Sequence, residues 1–127
     1  MARTAAEMVA EAKARVEAIA PEEAAGRDDV LFLDVREPSE VAASGKVAGA
    51  VNVPRGMLEF KADPSSATHE AALGEALRSG RTIVTYCAMG GRAAMAAAAL
   101  KDLGYENVRH MGGFKDWESK GLPVDKA

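Results

Sequence analysis

The stretch Thr82-Ile83-Val84-Thr85-Tyr86-Cys87-Ala88-Met89-Gly90-Gly91-Arg92-Ala93-Ala94-Met95-Ala96-Ala97-Ala98-Ala99-Leu100 decides the fold. Thr82 to Tyr86 are β-branched or aromatic and read as a buried strand. Ala93 to Leu100 are strong helix formers. Between them, Cys87 to Arg92 is a six-residue loop from a strand's C-terminal end to a helix's N-terminus. Open α/β sheets bind their ligands at such junctions. The glycine pair admits backbone angles that turn successive N–H groups toward a common centre, which suits an anion. The helix start adds unpaired N–H groups and a positive dipole end, and Arg92 adds a fixed charge. Each of these favours a sulfur anion over a neutral thiol at Cys87. A lone cysteine also fits a plain core role as a small hydrophobe. The glycines, the arginine and the helix start together point instead to a reactive sulfur.

Working outward, the same alternation of strand and helix recurs. Thr4-Ala5-Ala6-Glu7 has capping-box spacing, and Met8, Val9, Ala12, Val16 and Ile19 follow at helix-like intervals. This predicts an amphipathic helix to about Arg15, while Val16 to Ile19 reads equally as its end or as a short strand. Pro21 suits a helix's first position, with Gly26 near the stop. Val30-Leu31-Phe32-Leu33-Asp34 is a continuous apolar run of the kind found in strands buried on both faces. A short helix is expected after Asp34 to Glu40, a turn over Gly45 to Gly49, and a strand over Ala50 to Val53. Arg55 to Phe60 is read as a short helix. Asp63-Pro64-Ser65-Ser66 is placed as a linker capping a helix from Ala67 to Leu77. After the alanine-rich helix, Val108-Arg109-His110 reads as a strand, Met111-Gly112-Gly113 as a tight turn, and Phe114 to Ser119 as a last helical turn. The fold class is α/β, in three layers, with a mostly parallel sheet of about five strands flanked by helices. Residues 1–127 are expected to form a single domain, with 1–18 as an N-terminal helical extension and a core over about 19–124.

Composition narrows the function classes. A net charge of −3 gives no support for a nucleic-acid partner. One cysteine excludes an internal disulfide, a multi-cysteine metal site and a Cys-x-x-Cys redox pair. No apolar run approaches the roughly 18 residues of a membrane span. No membrane partner is therefore expected, and a cytoplasmic setting is.

With these segments in place, the chain resembles the rhodanese family of single-domain sulfurtransferases from about Ile19 to Val124. Leu33-Asp34-Val35-Arg36-Glu37-Pro38-Ser39-Glu40 is similar to the family's D-x-R-x-x-x-E signature. Gly45 to Pro54 is similar to its G-H-I-x-G-A-x-x-x-P segment, and Cys87 to Arg92 to its C-x-x-G-x-R active loop. Gly104 to Val108, Gly112-Gly113, Trp117 and Gly121-Leu122-Pro123-Val124 are similar to its C-terminal pattern. The resemblance implies that Cys87 takes a sulfane sulfur from thiosulfate or another persulfide donor and passes it to a thiol or to cyanide. Cys87 is then the catalytic nucleophile and persulfide carrier, and the N–H groups of Ala88, Met89, Gly90, Gly91 and Arg92 form its cradle. No metal or organic cofactor is expected. The implied partners are a small sulfur donor and a thiol acceptor, with a sulfur-relay protein as the alternative. Related phosphatases and arsenate reductases use a loop one residue longer, so the six-residue loop speaks against them.

Some residues depart from that pattern or carry two readings. Basic side chains often follow the cysteine in members that favour thiosulfate, whereas Ala88 and Met89 stand there here. Arg92, with Arg55 from the loop after the third strand, is left to meet a dianion. The apolar pair favours a protein docking partner, which makes a sulfur-carrier or binding module the second hypothesis. The Arg92 side chain reads either as a substrate contact or as a brace for the loop. Phe60, with Met57 and Leu58, reads as part of the donor pocket or as the face of a covering helix. Asp34 and Arg36 are placed as supporting residues at the sheet's edge, Arg36 pairing with Glu40 and Asp34 bonding loop backbone. Lys46 stands where the family has histidine and is read as a surface turn residue. His69 and His110 are read neither as metal ligands nor as the cysteine's base.

Overall fold

The computed structural model describes residues 2–126. Strand β1 (Val30–Asp34), β3 (Val51–Asn52), β4 (Thr82–Cys87) and β5 (Val108–Gly113) form one parallel sheet in the order β3-β1-β4-β5. All six residues of β4 are buried, as a strand covered on both faces must be. β1 and β4 are in register from Val30 opposite Thr82 to Asp34 opposite Tyr86. Asp34 and Cys87 thus end neighbouring strands at the same edge of the sheet. Two further strands absent from the sequence reading, β2 (Lys46–Val47) and β6 (Val124–Asp125), pair antiparallel. The Gly45 to Gly49 turn is therefore partly a strand, held because β6 returns to it from the chain's other end. The Val16 to Ile19 ambiguity resolves as a single parallel bridge, Ala18 to His110, on the outer edge of β5.

Helices cover both faces. Helix α1 (Ala5–Arg15) starts on a complete capping box: Thr4 accepts from the Glu7 N–H at 3.0 Å, and Glu7 accepts from the Thr4 N–H at 2.8 Å. Helix α6 (Gly91–Asp102) buries Ala93, Ala94, Ala96, Ala97, Ala98 and Leu100. Small side chains let it sit close to the sheet on one side and to α1 on the other. That core layer continues through Leu33, Ile83 and Tyr105 to α4 (Leu58–Ala62) and α5 (Ala71–Ser79). The opposite layer holds Ile19, Val84, Tyr86, Met111, Phe114 and Trp117, between α2 (Pro21–Ala25) and α7 (Phe114–Ser119). Trp117 meets Phe32 edge-on at 5.2 Å. The helix expected from Ala67 begins at Ala71 instead. Asp63 spends its side chain on a local turn to Ser65, and Glu70 caps the helix through the Ala72 N–H. Gly112 and Gly113, read as a turn, close β5. Among the described residues no helix is long and apolar enough to cross a membrane.

The sheet's upper edge is tied by an ion pair. Asp34 is fully buried and Arg36 is 3% exposed, and the guanidinium grips both carboxylate oxygens at 2.7–3.1 Å. Arg36 was expected to pair with Glu40 and does not, because Asp34 lies two residues back on the same turn. The expected bond from Asp34 to loop backbone is present, to the Arg36 N–H at 3.0 Å. Arg36 also donates to Ser44 Oγ and the Gly45 carbonyl, fixing the end of α3 (Pro38–Ser44). Its guanidinium carbon lies 4.5 Å over the Phe114 ring. Replacing one partner leaves a buried charge uncompensated, so Asp34→Ala is expected to cost about 3–5 kcal/mol. Urea unfolding should show a lower midpoint with the slope unchanged.

Candidate active site

The site grows from the end of β4. Cys87 is 1% exposed and faces the core layer under α6. Its Sγ accepts the Gly90 N–H at 2.9 Å, so the chain after the cysteine curls back over the sulfur. That curl needs Gly90 at φ +111°, a conformation that side chains resist, and Gly90 then caps α6. Behind it stand the first N–H groups of α6, which have no partner within the helix. The base of the loop is closed by Thr85, whose buried hydroxyl donates to the Ala93 carbonyl at 2.8 Å. Cradle N–H groups were expected from Ala88 through Arg92, and Gly90 is the one within hydrogen-bond distance of the sulfur.

Arg92 pairs with α3. Its two terminal nitrogens meet the two oxygens of Glu40, on α3, at 2.6 and 2.9 Å. Glu40 is fixed in turn, accepting the Glu37 N–H at 2.9 Å. The Arg92 fork, followed by that N–H, holds the Glu40 carboxyl at about 2, and the pairing raises the Arg92 pKa. Met89 is 94% exposed at the crest of the loop, next to Ala88. Val9 of α1 reaches the loop's far end, since a methyl on Gly91 would sit 3.5 Å from Val9 Cγ2.

The other expected site residues are held as follows. Arg55 donates to both oxygens of Glu59 at 3.0 and 3.2 Å and lines a hollow bordered by α1 and α6. None of Cys87 to Arg92 lines that hollow. Phe60 projects from α4 at 59% exposure, while Leu58 is fully buried beneath it. Arg36 joins Asp34 to the end of α3, the helix that carries Glu40. Lys46 donates its ammonium to the Ala50 carbonyl at 2.8 Å. Among the described residues no group of three or more His, Cys, Asp or Glu side chains could hold a metal ion. Three site residues had been read otherwise or passed over. Thr85 looked like any strand residue, and Glu40 was assigned to Arg36. Gly113 reads as a turn in the sequence, yet it lies opposite Cys87 with the Ala88 carbonyl where its side chain would be. The glycine doublet at a strand end was the available signal for such a close approach.

Two outcomes test this geometry. In Gly113→Ala the new methyl collides with the Ala88 carbonyl oxygen, and its φ of −114° leaves sterics as the sole objection. Overpacking of this kind should cost about 1–3 kcal/mol in thermal or urea unfolding. Glu40 has a carboxyl pKa held below its ordinary 4.5, at about 2. It therefore stabilises the fold fully above that ordinary value and loses the contribution as pH falls toward the lower one. The stability difference between wild type and Glu40→Gln, followed by urea unfolding against pH, should shrink across this acid window and vanish below it.

A family model for the rhodanese-like domain matches residues 18–120. A sulfurtransferase of Allochromatium vinosum is 30% identical over 101 residues, covering 79% of this chain and 82% of its own. A human thiosulfate:glutathione sulfurtransferase is 33% identical over 97 residues, covering 70% of this chain and 79% of its own. Among solved structures, a Rhodopseudomonas palustris protein of unknown function superposes with a TM-score of 0.88 at 34% identity. The match covers 98% of this chain and 96% of that one, for which tyrosine phosphatase activity has been suggested.

Proposed function

Because the chain belongs to the rhodanese-like domain family, we propose that it is a sulfurtransferase working through a Cys87 persulfide. The observation that carries this reading is Cys87 Sγ held by the Gly90 N–H where β4 ends and α6 begins. With thiosulfate, the Cys87 thiolate attacks the outer sulfur. A Cys87 S–S bond forms, the donor's S–S bond breaks, and sulfite departs with its electron pair. The persulfide left behind is anionic, and fixed donors stabilise it without reorganisation. A thiol or cyanide then takes the sulfur. The reaction needs no cofactor, and its setting is a reduced cytoplasm.

Two features shape the donor. Arg92 is committed to Glu40 through both terminal nitrogens, and Ala88 and Met89 add no charge. A dianionic donor is therefore met weakly, and a persulfide on a small thiol or on a relay protein is the better substrate. The same commitment weighs against phosphatase chemistry, which needs an arginine fork free for the phosphate oxygens. The 94% exposure of Met89 favours a second reading, a sulfur-carrier module that docks a protein on the loop's apolar crest.

Intact mass after incubation with thiosulfate, and separately with a small-molecule persulfide, tests the proposal. Wild type is expected to gain one sulfur, discharged by cyanide, with faster loading from the persulfide, while Cys87→Ser gains none. No adduct from either donor overturns the enzyme reading. Loading that slows with ionic strength would mark steering of an anion by Arg92, and loading insensitive to salt would mark apolar docking.

A further inference from the structure

The loop from Cys87 to Arg92 carries one basic side chain, Arg92, and the two residues after the cysteine are uncharged. The Arg92 guanidinium sits where it feels the sulfur. Glu40 first, against desolvation, and then the charge of the Cys87 sulfur raise the Arg92 pKa. Its two terminal nitrogens are nonetheless filled, by the two oxygens of one carboxylate at 2.6 and 2.9 Å. A planar pair of oxygens of this kind is also what the oxyanion end of thiosulfate presents to a guanidinium fork. The pair stands toward solvent, with the Arg92 and Glu40 side chains 38% and 34% exposed, while Cys87 as a whole is 1% exposed. The fork is thus open to a dissolved anion in a way that the sulfur is not. Glu40 is held in place. It accepts the Glu37 N–H at 2.9 Å, and the far end of α3 is tied down by Arg36 through Ser44 Oγ and the Gly45 carbonyl. Arg92 and then the Glu37 N–H keep its carboxyl at about 2, so it is ionised throughout the neutral range. An ion pair so exposed adds little to stability, so its effect is to be sought in the charge it leaves at the site.

We propose that Glu40 is a specificity-determining residue: its carboxylate holds the place on Arg92 that the oxyanion end of a dianionic sulfur donor would take, and so turns loading toward donors of lower charge. The inference rests on the persulfide reading above and names the residue that sets its donor class. With Glu40 in place the pair is neutral overall, so a dianion gains no net attraction on approach. To reach the fork it must displace a carboxylate that stays charged and stays close, and two anions then face one guanidinium. A donor whose single charge lies on the sulfur that Cys87 attacks has no second anion to place and loses less. Glu40→Gln is the isosteric release. Its carbonyl oxygen, in the Oε1 position, keeps the Glu37 N–H and one Arg92 nitrogen. Its amide nitrogen, in the Oε2 position, meets the other Arg92 nitrogen donor to donor and sets it free.

Thiosulfate and the methanethiosulfonate anion test this as a matched pair, the second having a methyl group in place of one charged oxygen. In both, the Cys87 thiolate attacks the outer sulfur, a Cys87 S–S bond forms and the donor's S–S bond breaks. Sulfite leaves from the first and methanesulfinate from the second, each with the electron pair. With cyanide as acceptor, the ratio of the two kcat/KM values is taken within one protein, so it does not depend on how much of a variant is folded. In Glu40→Gln the ratio is expected to move about tenfold toward thiosulfate, the worth of one charge-assisted contact, with the gain in KM rather than kcat. Thiosulfate loading should also become sensitive to salt. The move should vanish when Glu40→Gln is made in an Arg92→Gln background. Glu59→Gln, the same charge change at the Arg55–Glu59 pair, should leave the ratio where it is. An unmoved ratio in Glu40→Gln, or an equal fall for both donors, makes Glu40 a support for the loop and overturns the proposal. A move that survives without Arg92, or that Glu59→Gln reproduces, is general charge repulsion and overturns it too. Binding is read separately, by titrating each anion into Cys87→Ser with and without Glu40→Gln and following the amide NMR signals of Gly91 to Ala93. Tighter thiosulfate in the double variant is expected, and equal binding overturns the release of Arg92. If no persulfide forms from either donor in any of these proteins, the sulfurtransferase reading fails, while the titration still decides whether Glu40 withholds Arg92.

Discussion

The buried ion pair between Asp34 and Arg36 is the constraint on which the site depends. Two charges removed from water must be fully matched, and here each is. The Asp34 carboxylate takes the Arg36 guanidinium and the Arg36 N–H, while Arg36 spends its remaining reach on Ser44 and the Gly45 carbonyl. Asn52 adds a second tie, donating to the carbonyls of both Asp34 and Arg36 at 2.9 Å. The end of β1, the end of β3 and the end of α3 are thereby one unit. Because α3 carries Glu40, and Glu40 holds Arg92, the unit reaches the first turn of α6 and the rim of the cysteine loop. Tyr86, beside Cys87 in β4, extends it to β2, accepting the Val47 N–H at 3.0 Å.

Around that frame the loop is shaped by close approach more than by side chains. Gly90 turns where few residues can, and the Ala88 carbonyl occupies the place a Gly113 side chain would take. The small groups lower the loop onto the sheet edge and bring a backbone N–H to the sulfur. They also leave the crest uncharged, with Met89 standing clear in solvent. Beside the loop lies α1, which packs along α6 and brings Val9 near Gly91.

Much of this was legible from local pattern. β1 and β4 read as continuous apolar runs because both faces are covered, and the alanine-rich α6 reads as a helix because alanine gives up least on becoming one. The Thr4 capping box and the Cys87 loop are contiguous motifs and were read as such. β2, β6 and the Ala18 bridge were missed or left open because two-residue strands have no period to detect. Their pairing comes from residues on the order of tens of positions away, beyond local propensity. The α5 start was misplaced because Asp63 and Ser65, both good caps, satisfy each other instead.

What the sequence by itself determined is the alternation of strand and helix, the family, and a lone cysteine on a glycine-containing turn between a buried strand and a helix. Each follows from side-chain periodicity or from backbone freedom within a few residues. Only the tertiary structure decided the partners of the charges. Arg36 had Asp34 and Glu40 within chain reach, and the end of β1 gave it Asp34 because a carboxylate already buried there cannot be left unmatched. Glu40 then faced Arg92, 52 residues later in the chain, and took both of its terminal nitrogens. Such choices depend on which charges the packing brings together and dries, and no stretch of sequence carries that information alone.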